Sequence, residues 1–301
     1  MLKVCFIYSN RSEISQLTPF IDYFHKKTQT SVIDLSKIIA KIDSDKNLHK
    51  IFLKCYKNFS FKKYDYICIL GDRRELPFIA LAAFFLDIKI VHIGAGEYLE
   101  GLPTYDQIIR PVVSILSKYQ ICSSENAKKE VMKLFSGISN ISPNAYSFGN
   151  PVFYAMDFKK IKRKIKENYD MVLIHPQSLS RKQTLNDINL VEKKLRDKRT
   201  IFILGNKDKN HDLIEKFYRK IRKKNRKYSF FVDLSKKEYF GLVKYCDNFY
   251  TNSSSISEIK FLNRKCLRQI GLRNKKRSES ELNNNAPKLL FNLLKKKLHV
   301  K

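Results

Sequence analysis

Ten short runs of β-branched and aromatic residues, spaced by helix-length stretches, limit what this chain can fold into. The first five are KVCFIYS (3–9), TSVIDL (30–35), YDYICIL (64–70), IKIVHIG (88–94) and YQICSS (119–124). After FGNP (148–151) a second series begins: MVLIHP (171–176), TIFILG (200–205), YSFFVDL (228–234), DNFYTNSS (247–254) and KCLRQIG (265–271). Strands that alternate with helices build right-handed βαβ units and a parallel sheet. The expectation is an α/β chain with two Rossmann-like domains. Pro151 after Asn150 stops the preceding strand, and the basic stretch 152–168 carries the boundary. Residues 1–155 are expected to form the N-terminal domain, and residues 156–301 the C-terminal domain with the final helix.

A length of 301 residues and a hydrophobic content of 43% supply a core for both halves. The 59 basic and 29 acidic residues leave a formal charge of +30, which points to nucleic acid, an anionic membrane surface or a phosphorylated small molecule. The 44 lysines outnumber the 15 arginines, whereas base readers and phosphate clamps use the planar arginine fork. The lysine tracts at 158–168, 218–227 and 293–301 therefore read as solvated faces. No zinc-finger spacing or RNP-like aromatic pattern accompanies them, and no nucleic-acid partner is expected.

Cys5, Cys55, Cys68, Cys122, Cys246 and Cys266 are widely spaced without a CxxC, as expected for reduced thiols of a cytoplasmic protein. No apolar run reaches the roughly 18 residues of a membrane span, and the N-terminus lacks a signal-peptide core. The GAG at 94–96 lacks the third glycine of a dinucleotide fingerprint. Neither a metal nor a cofactor is expected.

Ligands of open parallel sheets bind beyond the carboxyl ends of the strands, so the polar residues after each run are the ones to collect. In the first half these include Asn10-Arg11-Ser12-Glu13, Gly71-Asp72-Arg73 and Gly94-Ala95-Gly96-Glu97, with Asp106 and Arg110 in the next helix. Asp72, Glu97 and Asp106 make three carboxylates available to one cleft, where mutual repulsion raises some of their pKa values and lets an acid and a base coexist. Solvated loop acids are the ordinary alternative.

In the second half, His175 stands at a strand end before Pro176, where a lone histidine is usually structural. Asn252-Ser253-Ser254 opens a helix whose N-terminus suits phosphate, as does an ordinary cap. Glu258 lies one turn into that helix, a position that also suits a simple dipole partner. Arg273 and Arg277 are spaced for a two-point grip on a diphosphate or for an exposed basic loop.

Taken in order, NRSEISQLTPFI, the segment from GDRRE (71–75) to GEYLEG and YDQIIR, FGNP, IHP, GNKD, NSSSISE and IGLRNKKR resemble the UDP-N-acetylglucosamine 2-epimerase family. The likeness runs nearly the whole length, and the pairing of GDRRE with GEYLEG and YDQIIR is more similar to the hydrolysing branch. It implies a two-domain fold of the glycosyltransferase-B type with the active site in the interdomain cleft. It also implies Asp72, Glu97, Asp106 and His175 as catalytic, and Arg11, Arg73, Asn252, Ser253, Ser254, Glu258, Arg273 and Arg277 as contacts to UDP or its sugar. Pro111 stands where hydrolysing members commonly have histidine.

For such a family the chemistry is expulsion of UDP from C1 of the sugar as C2 is deprotonated. Water then adds to the resulting 2-acetamidoglucal, releasing a sugar of the N-acetylmannosamine type and UDP. Carboxylates serve as base and acid, and arginines, the histidine and a helix N-terminus stabilise the departing diphosphate. The resemblance further implies a UDP-sugar partner, no membrane span and a homodimer. A glycosyltransferase-B type sugar transferase and a non-catalytic family member are the alternatives.

Overall fold

The computed structural model describes residues 1–39, 47–97, 99–100, 106–138, 140–154, 156–157, 160–177, 180–205, 209–232, 234–274, 276–277 and 280–298, with the backbone alone at 11, 99, 100, 106, 276, 277 and 298. In these residues the chain runs β1 (Lys3–Tyr8), α1 (Arg11–His25), β2 (Gln29–Asp34), α2 (Ser36–Ile39), α3 (His49–Lys62), β3 (Tyr66–Leu70), α4 (Leu76–Phe84), β4 (Lys89–Ala95), β5 (Leu99–Glu100), α5 (Asp106–Leu116), β6 (Tyr119–Cys122), α6 (Glu125–Ser136) and β7 (Ala145–Ser147). It continues through β8 (Asp170–Ile174), α7 (Arg181–Glu192), β9 (Thr200–Leu204), α8 (His211–Arg222), β10 (Tyr228–Phe231), α9 (Lys236–Tyr245), β11 (Asn248–Thr251), α10 (Ile256–Asn263), β12 (Leu267–Gln269), β13 (Lys276–Arg277) and α11 (Ala286–Leu298). Each of the ten apolar runs contains a strand.

The chain divides into two compact units. The first comprises Met1–Tyr98, Tyr105–Ala155 and Ser280–Lys301, and the second Leu99–Thr104 and Met156–Glu279. The first holds a parallel sheet in the order β2-β1-β3-β4-β6-β7, the second a parallel sheet in the order β10-β9-β8-β11-β12. These are the two Rossmann-like folds expected from the sequence. The order reverses beside β1 in the first sheet and beside β8 in the second, so each has the switch point where such sheets bind ligands.

Both sheets are covered on two faces, which is why their central strands read as unbroken apolar runs. The pleat sorts the side chains. In β1, Val4 and Phe6 enter one core while Cys5 and Ile7 enter the other. In β8, Met171 and Leu173 face one layer and Val172 and Ile174 the opposite one. Helix starts are fixed by capping: Asn10 accepts from the Glu13 backbone N–H at 2.9 Å, Ser124 accepts from Ala127, and Ser235 and Glu238 form a capping box.

The last helix does not belong with the second unit, contrary to the expected division at 156–301. Ala286, Leu290 and Leu294 recur every four residues and are fully buried against α1 and the first sheet. Phe291 meets Phe24 edge to face at 5.7 Å. The segment before α11 is tied in by Glu281 N–H, which donates to Ser123 O at 2.7 Å, and by Asn283 Nδ2, which donates to Phe148 O at 2.9 Å. Apolar burial on the N-terminal core outweighs sequence proximity to the second unit.

Candidate active site

Two strand ends of the first unit are drawn together by one guanidinium, and a third joins them through Glu97. Arg110, only 6% exposed, lies on α5 and donates to Asp72 Oδ2 after β3 and to Gly94 O near the end of β4. Its Nη1 also lies 3.7 Å from Glu97 Oε2. Ser123, after β6, donates to Glu97 Oε1 at 2.9 Å. A buried cation thus holds two of the expected acids, as burial of any charge requires. Glu97 reaches its place because Gly96 adopts φ +71°, and a Cβ there would overlap the carbonyl of Ala127 on α6.

His92 fixes the loop that carries Asp72. Fully buried in β4, it contacts Gly71 O through Nε2 at 2.7 Å and Ser114 Oγ through Nδ1 at 2.9 Å. A carbonyl only accepts, so Nε2 carries the proton and Nδ1 accepts from the serine. Burial pushes the His92 pKa down to about 4, and the nearby Arg110 charge acts in the same direction against the opposing bond to Gly71.

A second buried group lies at the ends of β1 and β3. Glu13 Oε2 accepts from the Ser9 backbone N–H at 2.6 Å and from Ser9 Oγ at 2.7 Å. Burial raises its pKa to about 7 against those bonds, with the Glu75 carboxylate adding to the rise and the Arg73 charge opposing it. Arg73 Nε donates to Glu75 Oε1 at 2.7 Å, and Glu75 is fully buried. This gives the expected Arg73 a fixed anchor.

In the second unit, the expected residues gather at the carboxyl ends of β8, β11 and β12. His175 N–H donates to Asn252 Oδ1 at 2.7 Å, and Asn252 Nδ2 donates to His175 O at 2.9 Å. One carboxamide therefore clamps the two strand ends at the switch point. Burial drives the His175 pKa down to about 3, aided by the charge of Arg273, so its imidazole is neutral at ordinary pH.

Ser253 is buried and Ser254 exposed. The hydroxyl of Ser255, at the start of α10, lies 3.1 Å from Ser253 Oγ and makes no cap bond to the helix. Glu258 is in the first turn of α10. Arg273 follows β12, and Asn274 Nδ2 beside it donates to the carbonyls of Asn252 and Ser253.

Three expected residues have only their backbone described: Arg11 begins α1, Asp106 begins α5 and Arg277 lies in β13. Their side chains lie outside the described residues, as does all of Asn206-Lys207-Asp208 in the GNKD motif.

The sequence reading did not assign Arg110, His92, Glu13, Glu75 or Asp187. Signals existed for three of them. Arg110 follows Asp106 by one helical turn, Glu13 stands three residues after the cap Asn10, and Asp187 occupies the buried stripe of α7 with Thr184, Ile188 and Val191.

The profile of the UDP-N-acetylglucosamine 2-epimerase family matches residues 21–284. Among curated proteins, the polysialic acid biosynthesis protein P7 of Escherichia coli is 30% identical over 211 residues, covering 65% of this chain and 52% of that protein. A GDP/UDP-N,N'-diacetylbacillosamine 2-epimerase (hydrolyzing) of Campylobacter jejuni is 30% identical over 253 residues, or 80% of this chain and 65% of that one. The chain thus spans between half and two thirds of the length of these relatives.

The fold is shared with the UDP-GlcNAc 2-epimerase of Methanocaldococcus jannaschii, solved with UDP-GlcNAc and UDP, at a TM-score of 0.76 and 16% identity over 98% of this chain and 100% of that one. The Neisseria meningitidis UDP-GlcNAc 2-epimerase bound to UDP-GlcNAc gives 0.71 and 15%, with the same shares. These likenesses place the two sheets in the glycosyltransferase-B type of fold. With a profile match over most of its length and the motifs standing at its strand ends, the chain belongs to the UDP-N-acetylglucosamine 2-epimerase family.

Proposed function

We propose that the chain is a hydrolysing 2-epimerase acting on UDP-N-acetylglucosamine or a related UDP-2-acetamido sugar, and that it yields UDP and a free sugar of the N-acetylmannosamine type. The observation that carries this reading is the buried Arg110 between Asp72 and Glu97, in a chain whose Campylobacter relative is named as a hydrolyzing enzyme. A fixed cation between two carboxylates sets their spacing. That is a requirement for removing one proton and delivering another.

In the first step a carboxylate among Asp72, Glu97 and Asp106 takes the C2 proton, the C2 electron pair forms the C1–C2 double bond, and the C1–O bond to UDP breaks. In the second, water adds its hydroxyl to C1 while a proton returns to the opposite face of C2. Interacting acids titrate as a set, and the base is one member of that set. Asn252, Ser253, Ser254, Glu258, Arg273 and Arg277 hold the nucleotide. Arg11 and Arg73 sit by its phosphates, and neutral His175 donates to the leaving diphosphate.

The protein works as a homodimer in the cytoplasm. In support, Leu53 and Phe61 on α3, Phe85 after α4 and Ile108 on α5 are each at least 60% exposed, on helices of which α4 packs against both others. All six cysteines are free and buried, as suits a reducing compartment. Among the described residues, no helix is long and apolar enough to cross a membrane.

A proton NMR time course with UDP-N-acetylglucosamine in D2O tests the reading. Free N-acetylmannosamine deuterated at C2, appearing together with UDP, is the expected result. Failure to release UDP from any UDP-2-acetamido sugar overturns it.

A further inference from the structure

Asp187 is a carboxylate with no surface to solvate it. It lies in the middle of α7, is 1% exposed and shares its helix face with Thr184, Ile188 and Val191. A buried charge persists only where its lone pairs are used. Its Oδ2 accepts from Asn252 Nδ2 at 2.9 Å and from Gln177 Nε2 at 3.2 Å. Its Oδ1 faces Gly271, which has φ +65° and where a Cβ would overlap that oxygen.

The bond to Asn252 decides more than one contact. A carboxamide has an accepting and a donating end, and interchanging them alters its shape little. Asn252 must present Oδ1 to the His175 N–H and Nδ2 to the His175 carbonyl to bridge the ends of β8 and β11. An ionised carboxylate only accepts, so Asp187 attracts Nδ2 and repels Oδ1, excluding the reversed amide. The same carboxylate sets how closely the loop from Gly271 to Arg273 approaches; burial raises its pKa, while the bonds from Asn252 and Gln177 and the Arg273 charge favour its ionised form.

We propose that Asp187 is a positioning residue: it locks Asn252 in the orientation that clamps His175, and it seats the loop that carries Arg273. The role in nucleotide binding rests on the reading of His175, Asn252 and Arg273 as UDP contacts. Asp187 itself touches no substrate. Replacing it with an apolar residue of similar size removes the lock and takes an acceptor from Asn252 and Gln177 while relieving a desolvated charge, so the clamp weakens more than the fold as a whole.

The test compares wild type with Asp187→Leu and Asp187→Asn. It uses residue-resolved amide hydrogen exchange of the ligand-free protein and calorimetric titration with UDP. In Asp187→Leu the His175 amide is expected to exchange about tenfold faster and UDP affinity to fall by about tenfold, the equivalent of one hydrogen bond. Any fall in the urea midpoint should be matched at β8 amides other than His175 only to that smaller extent. Asp187→Asn can still turn an oxygen to Asn252, and both quantities should stay near wild type.

Gly271→Ala provides an independent perturbation. It drives the carboxylate aside while leaving it in the chain, and the same acceleration at His175 is expected. Unchanged exchange at His175 in Asp187→Leu or Gly271→Ala overturns the proposal, as does equal acceleration along all of β8. If wild type binds no UDP while His175 exchange responds as described, the nucleotide reading fails and the positioning role stands.

Discussion

The guanidinium of Arg110 donates to the carboxylate of Asp72 across 38 positions of sequence. It also reaches Gly94 O and lies near Glu97, so a single side chain on α5 sets the ends of β3 and β4. Lysine keeps the charge but lacks the planar fork, and it reaches only one partner at a time. Arg110→Lys is therefore expected to lower kcat/KM for the UDP-sugar by about a hundredfold. Arg110→Met removes the buried cation beside Asp72 and Glu97 and should lower the unfolding free energy by about 3 kcal/mol. Steady-state kinetics and urea denaturation check the two effects, and wild-type kinetics in the lysine variant would remove Arg110 from the site.

Gly96 is a second point of control. Its positive φ and its closeness to Ala127 O leave no space for a side chain. In Gly96→Ala either α6 moves or the turn before Glu97 changes. Forced shifts of this kind cost about 1–3 kcal/mol, and Ser123 would lose its bond to Glu97. The expected outcome is a lower urea midpoint together with a larger loss of kcat than of substrate affinity. A variant as stable and as active as wild type would show that the turn is not constrained.

Much of this was legible in the sequence, for reasons that particular residues make plain. YICIL and DMVLI are buried on both faces of parallel sheets, so their apolar runs mark strands whatever their neighbours do. The residues after them, Asp72 and His175, stand at strand ends because a βαβ chain must turn there. The home of α11 was not legible. Its apolar stripe at Ala286, Leu290 and Leu294 states that one face is buried, and nothing in it names the partner surface. Asp187 escaped for a related reason. A lone acid on an apolar helix face gains meaning only when Asn252, 65 positions away, is beside it.

Two histidines, the buried His92 and the half-buried His175, impose an acid limit on stability. His92 titrates at about 4 in the folded chain and near its ordinary 6.5 when unfolded. Between those values the unfolded chain binds a proton that the folded chain refuses, so stability falls as pH drops from 6.5 to 4. The loss is on the order of 3 kcal/mol. His175 acts in the same direction over the window from 6.5 to about 3. His92→Gln should lower stability at pH 7.5, because the Gly71 and Ser114 contacts are disturbed, and should flatten the decline toward pH 4.5. Urea midpoints at the two pH values decide it, and an equally steep decline in the variant would clear His92 of the effect.

Glu13 works in the opposite sense. Its folded pKa of about 7 lies above the ordinary 4.5, so the folded chain keeps a proton that the unfolded chain releases, and stability falls as pH rises from 4.5 to 7. The cause is burial, with the carboxylate of Glu75 adding to it, while Ser9 continues to donate to Oε2. A glutamine at this position can accept the same two Ser9 bonds without carrying charge. Glu13→Gln is therefore expected to exceed wild type in stability at pH 8, by on the order of 2–3 kcal/mol, and to match it at pH 5, where wild-type Glu13 is already protonated in the folded chain. Equal stability of the two proteins at pH 8 would mean that Glu13 is accommodated as an anion, with Arg73 rather than a bound proton balancing its charge.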